Sequence, residues 1–163
     1  LKGYCVGSNG MTIFSKDERL SNLKRLNLGG NRIGDEGAKL LAGSPIFSKL
    51  QWLELGGNDL GPEGIRAIGR STTLKKLKTL NAYRNLIKDE GARFFAKENR
   101  LSQLEELDLA QNEIGDEGLM ALAVSKAFPN LVAVYMDNNF ASVEAKEDAK
   151  GCPNFSKLES LNL

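Results

Sequence analysis

The chain has 163 residues, which is long enough for one domain with a sizeable hydrophobic core. It carries 22 lysines and arginines against 21 aspartates and glutamates, so its net charge of +1 gives no support for a nucleic-acid partner. Mean hydropathy is −0.31, and no apolar run approaches the roughly 18 residues that a membrane-spanning helix needs.

One segment of the sequence recurs at a fixed interval. Each copy is a variant of L-x-x-L-x-L-x-x-N, and its first leucine recurs every 27 residues, at Leu23, Leu50, Leu77, Leu104, Leu131 and Leu158. The first five copies are complete, and they close on Asn31, Asn58, Asn85, Asn112 and Asn139. A fixed period of this length is typical of a stacked repeat architecture. Residues that stand 27 positions apart are called a column below.

The repeats divide the chain without any linker between them. We interpret residues 1–163 as a single domain, with a partial repeat at 1–22, full repeats starting at 23, 50, 77, 104 and 131, and a partial repeat at 158–163. Leu1 and Leu163 both occupy the column of Leu28, and Tyr4 replaces the column asparagine. Neither end carries a polar cap over an open sheet edge. We therefore expect a fragment of a longer array, or ends that pair with something.

Each repeat begins with a short strand. In the first full copy, Leu26 and Leu28 alternate with Arg25 and Asn27, which predicts a strand with one buried face. Asn31 follows where the chain leaves the strand, and a buried asparagine there can satisfy backbone groups of neighbouring turns. Stacked every 27 residues, these side chains should form a ladder.

A helix follows each strand in the predicted repeat. Residues 34–37 start it in the first copy, and in the second copy Pro62 stands at the first helical position, where proline is favoured. The glycine column that includes Gly37 should allow close helix packing. Two apolar columns at helical spacing face the strands: Ala38, Ile65, Ala92 and Leu119 form one, and Leu41, Ile68, Phe95 and Leu122 form the other.

The fifth full repeat departs from this pattern after Asn139. Ala145 stands in the glycine column, and Lys146, Glu147 and Asp148 follow where the previous repeat is apolar. The thin apolar stripe predicts a short or irregular exposed convex segment. A loop that docks a partner is the alternative.

The strand segment and the I-G-D-E-G-A stretch at 33–38 resemble the leucine-rich repeat superfamily, in its ribonuclease-inhibitor-like class. The resemblance covers essentially the whole chain and is specific for the fold, not for any one member. It implies an α/β solenoid: a curved horseshoe segment with a concave parallel β-sheet and helices on the convex side. Members include ribonuclease inhibitors, sensor domains of innate-immune receptors, activators of the Ran GTPase and host-interacting proteins. The class therefore implies protein binding on the concave sheet and its adjoining loops.

Residues on the concave face are the candidates for partner binding. Tryptophan, tyrosine and arginine are enriched at binding hot spots, and the strand register points Trp52, the only tryptophan, at solvent. Any of these side chains could instead lie flat on its neighbours. The predicted binding residues are Arg25, Trp52, Glu54, Tyr83, Arg84, Glu106, Asp108, Tyr135 and Asp137.

The two cysteines, Cys5 and Cys152, lie five to six repeats apart. Because stacked strands are spaced about 4.8 Å apart, these residues are too distant for a disulfide, which needs Cα atoms within about 7 Å. We predict two free thiols and a cytoplasmic location, with an extracellular or host-targeted location left open. One glycosylation sequon begins at Asn154, a tripeptide that also arises by chance.

Catalysis is not expected from this sequence. The absence of histidine removes histidine-based triads and most zinc sites, and we expect no metal and no cofactor. Glu106 and Asp108 share a strand face, but an open sheet offers nothing obvious to raise the pKa of either carboxyl group. The sequence predicts a module that binds another protein. The alternatives are a regulatory or activator domain of a GTPase or of a larger effector or immune-receptor system, and carbohydrate recognition through Trp52 and the carboxylates.

Overall fold

The computed structural model describes all of residues 1–163, and its strands form one six-stranded parallel sheet in sequence order. Neighbouring strands pair with a register of one repeat, so Arg25 lies opposite Trp52 and Trp52 opposite Thr79. The strands are β1 (Arg25–Asn27), β2 (Trp52–Glu54), β3 (Thr79–Asn81), β4 (Glu106–Asp108), β5 (Ala133–Tyr135) and β6 (Ser160–Asn162).

Six helices alternate with these strands, and each packs against the next along the chain. None of them is long and apolar enough to cross a membrane. The helices are α1 (Gly7–Phe14), α2 (Gly34–Gly43), α3 (Pro62–Gly69), α4 (Lys88–Glu98), α5 (Asp116–Val124) and α6 (Val143–Lys150). Single 3-10 turns follow α1 at Glu18–Leu20 and α2 at Pro45–Phe47. The predicted α/β solenoid, with helices on one side of an unclosed parallel sheet, is confirmed.

A single apolar core runs between the sheet and the helices. Thirty-eight buried residues form one contiguous cluster, so no repeat has a core of its own. Leu53 and Leu80 enter it from the sheet and Ile65 and Phe95 from the helices, all with no exposed surface. Both predicted apolar helix columns are buried.

The predicted asparagine ladder is present. Asn58 is fully buried, and its side-chain Oδ1 accepts the backbone N–H groups of Asn31 and Ile33 from the previous repeat. Its Nδ2 donates to the carbonyl groups of Leu28 and Leu55, each at 2.9 Å. One side chain therefore satisfies backbone groups of two neighbouring turns.

Two further sets of contacts between repeats were not predicted. Asp35 Oδ1 accepts the N–H groups of Gly61 and Gly64 at the start of α3, so a carboxylate from one repeat caps the helix of the next. Asp89 caps α5 in the same way. In another column, the Ser71 hydroxyl donates to the carbonyl of Ala42, and Ser44 and Ser125 make equivalent bonds one repeat back.

The glycine column at the helix starts is small for the predicted reason. A methyl group added at Gly118 would come within 2.7 Å of Asp89 Oδ1 and 2.9 Å of the Cβ of Ala92. These distances are too short for a real contact. A side chain at Gly118 would therefore push α4 away from α5 and displace the Asp89 carboxylate that caps α5.

The convex segment of the fifth repeat is short and exposed, one of the two forms that its sequence predicted. It is a regular helix, α6, eight residues long like α3 and shorter than α2, α4 and α5. The hydroxyl of Ser142 caps its first turn by accepting the N–H of Ala145. Ala145 and Ala149 are buried, and these two small residues are enough to seat a helix whose other positions remain largely exposed.

Candidate functional site

The concave face of the sheet divides into two areas along the strand direction. Arg25 and Trp52 start neighbouring strands, and the Arg25 guanidinium lies 4.3 Å from the centre of the Trp52 ring. This distance is typical of a cation–π interaction. Trp52 is therefore partly covered by a neighbour instead of standing free in solvent.

At the other end of the strands, one column of polar side chains closes each strand in the same way. Asn27, Glu54, Asn81 and Asp108 each accept a hydrogen bond from the backbone N–H two residues further along the chain. Glu54 and Asp108, which were predicted as partner-binding residues, thus also have a local structural contact. The sequence signal for this hydrogen bond was a column in which all four of these residues carry a side-chain oxygen that can accept it.

The carboxyl groups of this column differ from exposed ones in their acidity. Burial raises the pKa of Glu54, the hydrogen bond from Gly56 lowers it, and the negative charge of Asp108 raises it further. Burial also raises the pKa of Asp108, with Asp137 as the nearby like charge. The expectation that nothing on the open sheet would raise a carboxyl pKa was therefore wrong for Asp108, because neighbouring strands leave its side chain only half exposed.

A cleft of about 760 Å³ opens where β1–β3 end. Two glycine pairs line it, and we call it the glycine cleft, defined by Gly29, Gly30, Gly56, Gly57, Glu54, Tyr83 and Arg84. The Tyr83 ring lies directly against Gly56, in the space that a side chain at Gly56 would fill. The cleft exists because two successive repeats carry glycines in columns where the third carries Tyr83 and Arg84.

Arg84 adopts an unusual backbone conformation in this cleft. Its φ is +53°, in the left-handed region that Gly30 and Gly57 occupy in the same column. A residue with a Cβ atom pays about 1 kcal/mol for this conformation, which glycine adopts freely. The exposed side chain of Arg84 makes no ion pair.

The structure separates the predicted binding residues into groups. Glu54, Tyr83 and Arg84 meet in the glycine cleft, and Arg25 and Trp52 form the stacked pair. The remaining four lie outside the cleft lining, on β4, β5 and the loop after β5: Glu106, Asp108, Tyr135 and Asp137.

Two cleft residues were missed from the sequence. Leu86 and Phe140 line the cleft and are 45% and 71% exposed. They share a column with Arg32, Asp59 and Glu113, which are charged. An apolar residue in a column that is otherwise charged in the full repeats was the sequence signal that could have indicated these two cleft residues. Together with Tyr83, they give this cleft three of the eight large hydrophobic residues that the chain exposes.

Other predicted sites can be placed on the structure. Cys5 and Cys152 are both free thiols. No group of three or more cysteine, aspartate or glutamate side chains is arranged to hold a metal ion. Asn154, the sequon residue, is only 2% exposed, and its Nδ2 donates to the carbonyl of Leu122 at 2.9 Å. The nitrogen that would carry a glycan is therefore inside the protein.

Comparisons with known proteins agree with this architecture. The profile of the Leucine Rich repeat family matches residues 19–42, 48–69 and 101–123. No curated protein matches the chain in sequence. Among solved structures, an internalin from Listeria monocytogenes is similar with a TM-score of 0.58 and 24% identity, over 90% of this chain and 36% of the internalin chain. The chain thus spans little more than a third of that relative.

A second similar structure is the tropomodulin C-terminal domain of Caenorhabditis elegans. It has a TM-score of 0.64 and 13% identity, and the match covers 92% of each chain. At these identities the two likenesses show the fold alone. The family match, the 27-residue strand register and the asparagine ladder together support a leucine-rich repeat protein.

Proposed function

We propose that the chain binds another protein on the concave face of its sheet. The observation that carries this proposal is the clustering of Tyr83, Leu86 and Phe140 around one cleft. Exposed apolar side chains that gather at one place, rimmed by polar groups, mark interaction sites in soluble proteins. The stacked pair of Arg25 and Trp52 supplies residue types enriched at hot spots on the same face.

Carbohydrate recognition, which also relied on Trp52, has less support. A sugar ring stacks on an open aromatic face, and Arg25 already lies over the indole. A ligand of this kind would first have to displace the guanidinium and its cation–π contact. Regulation of a GTPase or of a larger effector system would itself act through protein binding, and no feature of the cleft singles it out.

The proposal is tested by using the chain to capture binding partners from a native extract. Each variant used in this test changes a side chain on only one side of the molecule, the sheet side or the helical side. The chain offers a matched control, because Arg66 stacks on Phe94 at 4.3 Å on the helical side, just as Arg25 stacks on Trp52 on the sheet side. We expect Tyr83→Ala and Trp52→Ala to weaken capture roughly 30-fold each, as for a hot spot of about 2 kcal/mol. Phe94→Ala should capture the partner as well as the unmodified chain does.

Two results would count against the concave face. If all three variants capture the partner equally, neither Tyr83 nor Trp52 contributes to binding. If only Phe94→Ala loses it, the partner binds the helical side. Thermal unfolding of each variant separates a lost contact from a lost fold.

A further inference from the structure

Glu54 carries a charge that its position in the fold does not require. Asn27 and Asn81, one strand to either side, accept the same N–H group two residues on with a neutral amide oxygen. Glu54 does so with Oε1, at 2.6 Å from the nitrogen of Gly56. It is half-buried and forms no ion pair, so its charge is partly desolvated with no cation in contact with it. Residues that break a local rule in this way mark functional positions.

An aromatic ring stands beside this carboxylate. Gly56 contacts both the Tyr83 ring and Glu54 Oε1, so a carboxylate and an aromatic side chain flank one glycine of the cleft. A carboxylate and an aromatic face are the two groups that recognise an ammonium or guanidinium ion, through charge-assisted hydrogen bonds and cation–π contact.

The other charges in the cleft are exposed and nearly balanced. Lys2, Arg32 and Arg84 line it as cations, and Asp59 and Glu113 as anions, with Glu113 only 3.9 Å from Lys88. Solvent screens the charges of these exposed side chains more effectively than it screens the charge of half-buried Glu54. Lys2 lowers the pKa of Glu54, but by less than burial raises it.

We propose that the glycine cleft receives a lysine or arginine side chain of the partner protein, bound by the Glu54 carboxylate and the neighbouring Tyr83 ring. This inference rests on the proposed function and names the chemistry that its partner presents. The missing side chains at Gly29, Gly30 and Gly57 leave room for a long side chain, and Leu86 and Phe140 line the same cleft for its apolar neighbours. Binding would place a positive charge beside Glu54, which has no ion-pair partner within the chain.

Titrations with small probes test the cleft without knowledge of the partner. The probes are N-acetyl-arginine amide, N-acetyl-lysine amide, N-acetyl-glutamine amide and N-acetyl-glutamate amide at millimolar concentration. The readout is the amide shift of Gly56 and Gly57 in ¹⁵N–¹H correlation spectra. We expect saturable shifts with the arginine and lysine probes, and none with the other two.

Two variants show whether the arginine-induced shifts depend on the Glu54 carboxylate. Glu54→Gln keeps the size of the side chain and an oxygen that can accept the Gly56 N–H, and we expect it to lose the arginine-induced shifts. Glu159→Gln removes an exposed carboxylate next to β6, outside the cleft, and it should keep them. Arginine shifts that persist in Glu54→Gln, or glutamate shifts of the same size, would overturn the proposal.

The outcome is separable from that of the proposed function. If Tyr83→Ala loses the native partner while Glu54→Gln binds it as tightly as the unmodified chain, protein binding stands and the cationic anchor is wrong. If the probes bind beside Glu54 and no concave variant affects capture of a partner, the anchor site exists and the proposed function fails.

Discussion

The side-chain oxygen of Asn58 accepts a hydrogen bond of 3.1 Å from the backbone N–H of Asn31, exactly one repeat earlier in the chain. Asn85 makes the same bond to the backbone of Asn58, at 2.9 Å. The asparagine of each repeat thus bonds backbone groups of the previous repeat as well as its own. Replacing one asparagine therefore leaves backbone polar groups unpaired in two repeats.

Asn58→Ala should lower the free energy of unfolding by at least about 3 kcal/mol, because it leaves several buried backbone groups without partners. Chemical denaturation followed by circular dichroism measures this change. Asn130→Ala is the control, since Asn130 is exposed and donates only to the carbonyl of Ser102. A loss at Asn58 no greater than the control loss would show that the ladder contributes little stability.

Asp35→Ala should lower the free energy of unfolding by about 0.5–2 kcal/mol, the usual effect of removing a helix cap. The effect acts across a repeat boundary, because the unpaired N–H groups would be those of Gly61 and Gly64 at the start of α3. Hydrogen exchange should therefore accelerate in α3 more than in α2. Asp35→Asn keeps an oxygen acceptor and should lose less stability. Equal losses in the two variants would argue against capping.

Glu54→Gln should raise the free energy of unfolding at neutral pH, by no more than about 1 kcal/mol because solvent screens the exposed half of the side chain. Burial and the nearby Asp108 charge raise the pKa of Glu54 in the folded chain above its unfolded value, an effect that the Gly56 hydrogen bond and Lys2 only partly offset. The folded state then binds this proton more tightly, so the ionised form costs stability at higher pH.

The advantage of Glu54→Gln should shrink as the pH falls from the raised folded pKa to the ordinary pKa of a glutamate, and it should vanish below that range. Denaturation series at several pH values measure this. Glu106→Gln, at an exposed site on β4, serves as the reference. A variant that is less stable than the unmodified chain at neutral pH would mean that the charge supports the fold.

Folded chain produced in a glycosylating host should carry no glycan on Asn154. The side chain is 2% exposed and bonded to the carbonyl of Leu122, and its backbone N–H donates to the carbonyl of Ala123. A sugar there could be accommodated only by unfolding this part of the fifth full repeat. Intact mass measured before and after glycosidase treatment decides the matter, and a folded product with full occupancy would contradict the buried placement.

The repeat itself was readable from the sequence because its determinants are local and periodic. The alternation of Leu26 and Leu28 with polar residues sets a strand face, and Pro62 marks the start of α3. The asparagine column predicted a ladder because a buried amide in that position has to satisfy backbone groups. At α6 the thin apolar pattern left a short or an irregular segment open, and the buried alanines Ala145 and Ala149 hold a short regular helix there.

The sequence by itself determined the stacking, since a strand and a helix repeated every 27 residues can bury their apolar faces only against their neighbours. Only the tertiary structure decided which side chains meet between repeats. Gly56, Glu54 and Tyr83 come together because stacking places residues 27 positions apart side by side, and the missing side chain at Gly56 lets the ring settle there. Asp35 became a cap of the next helix, and Arg25 came to cover Trp52, through the same lateral contacts.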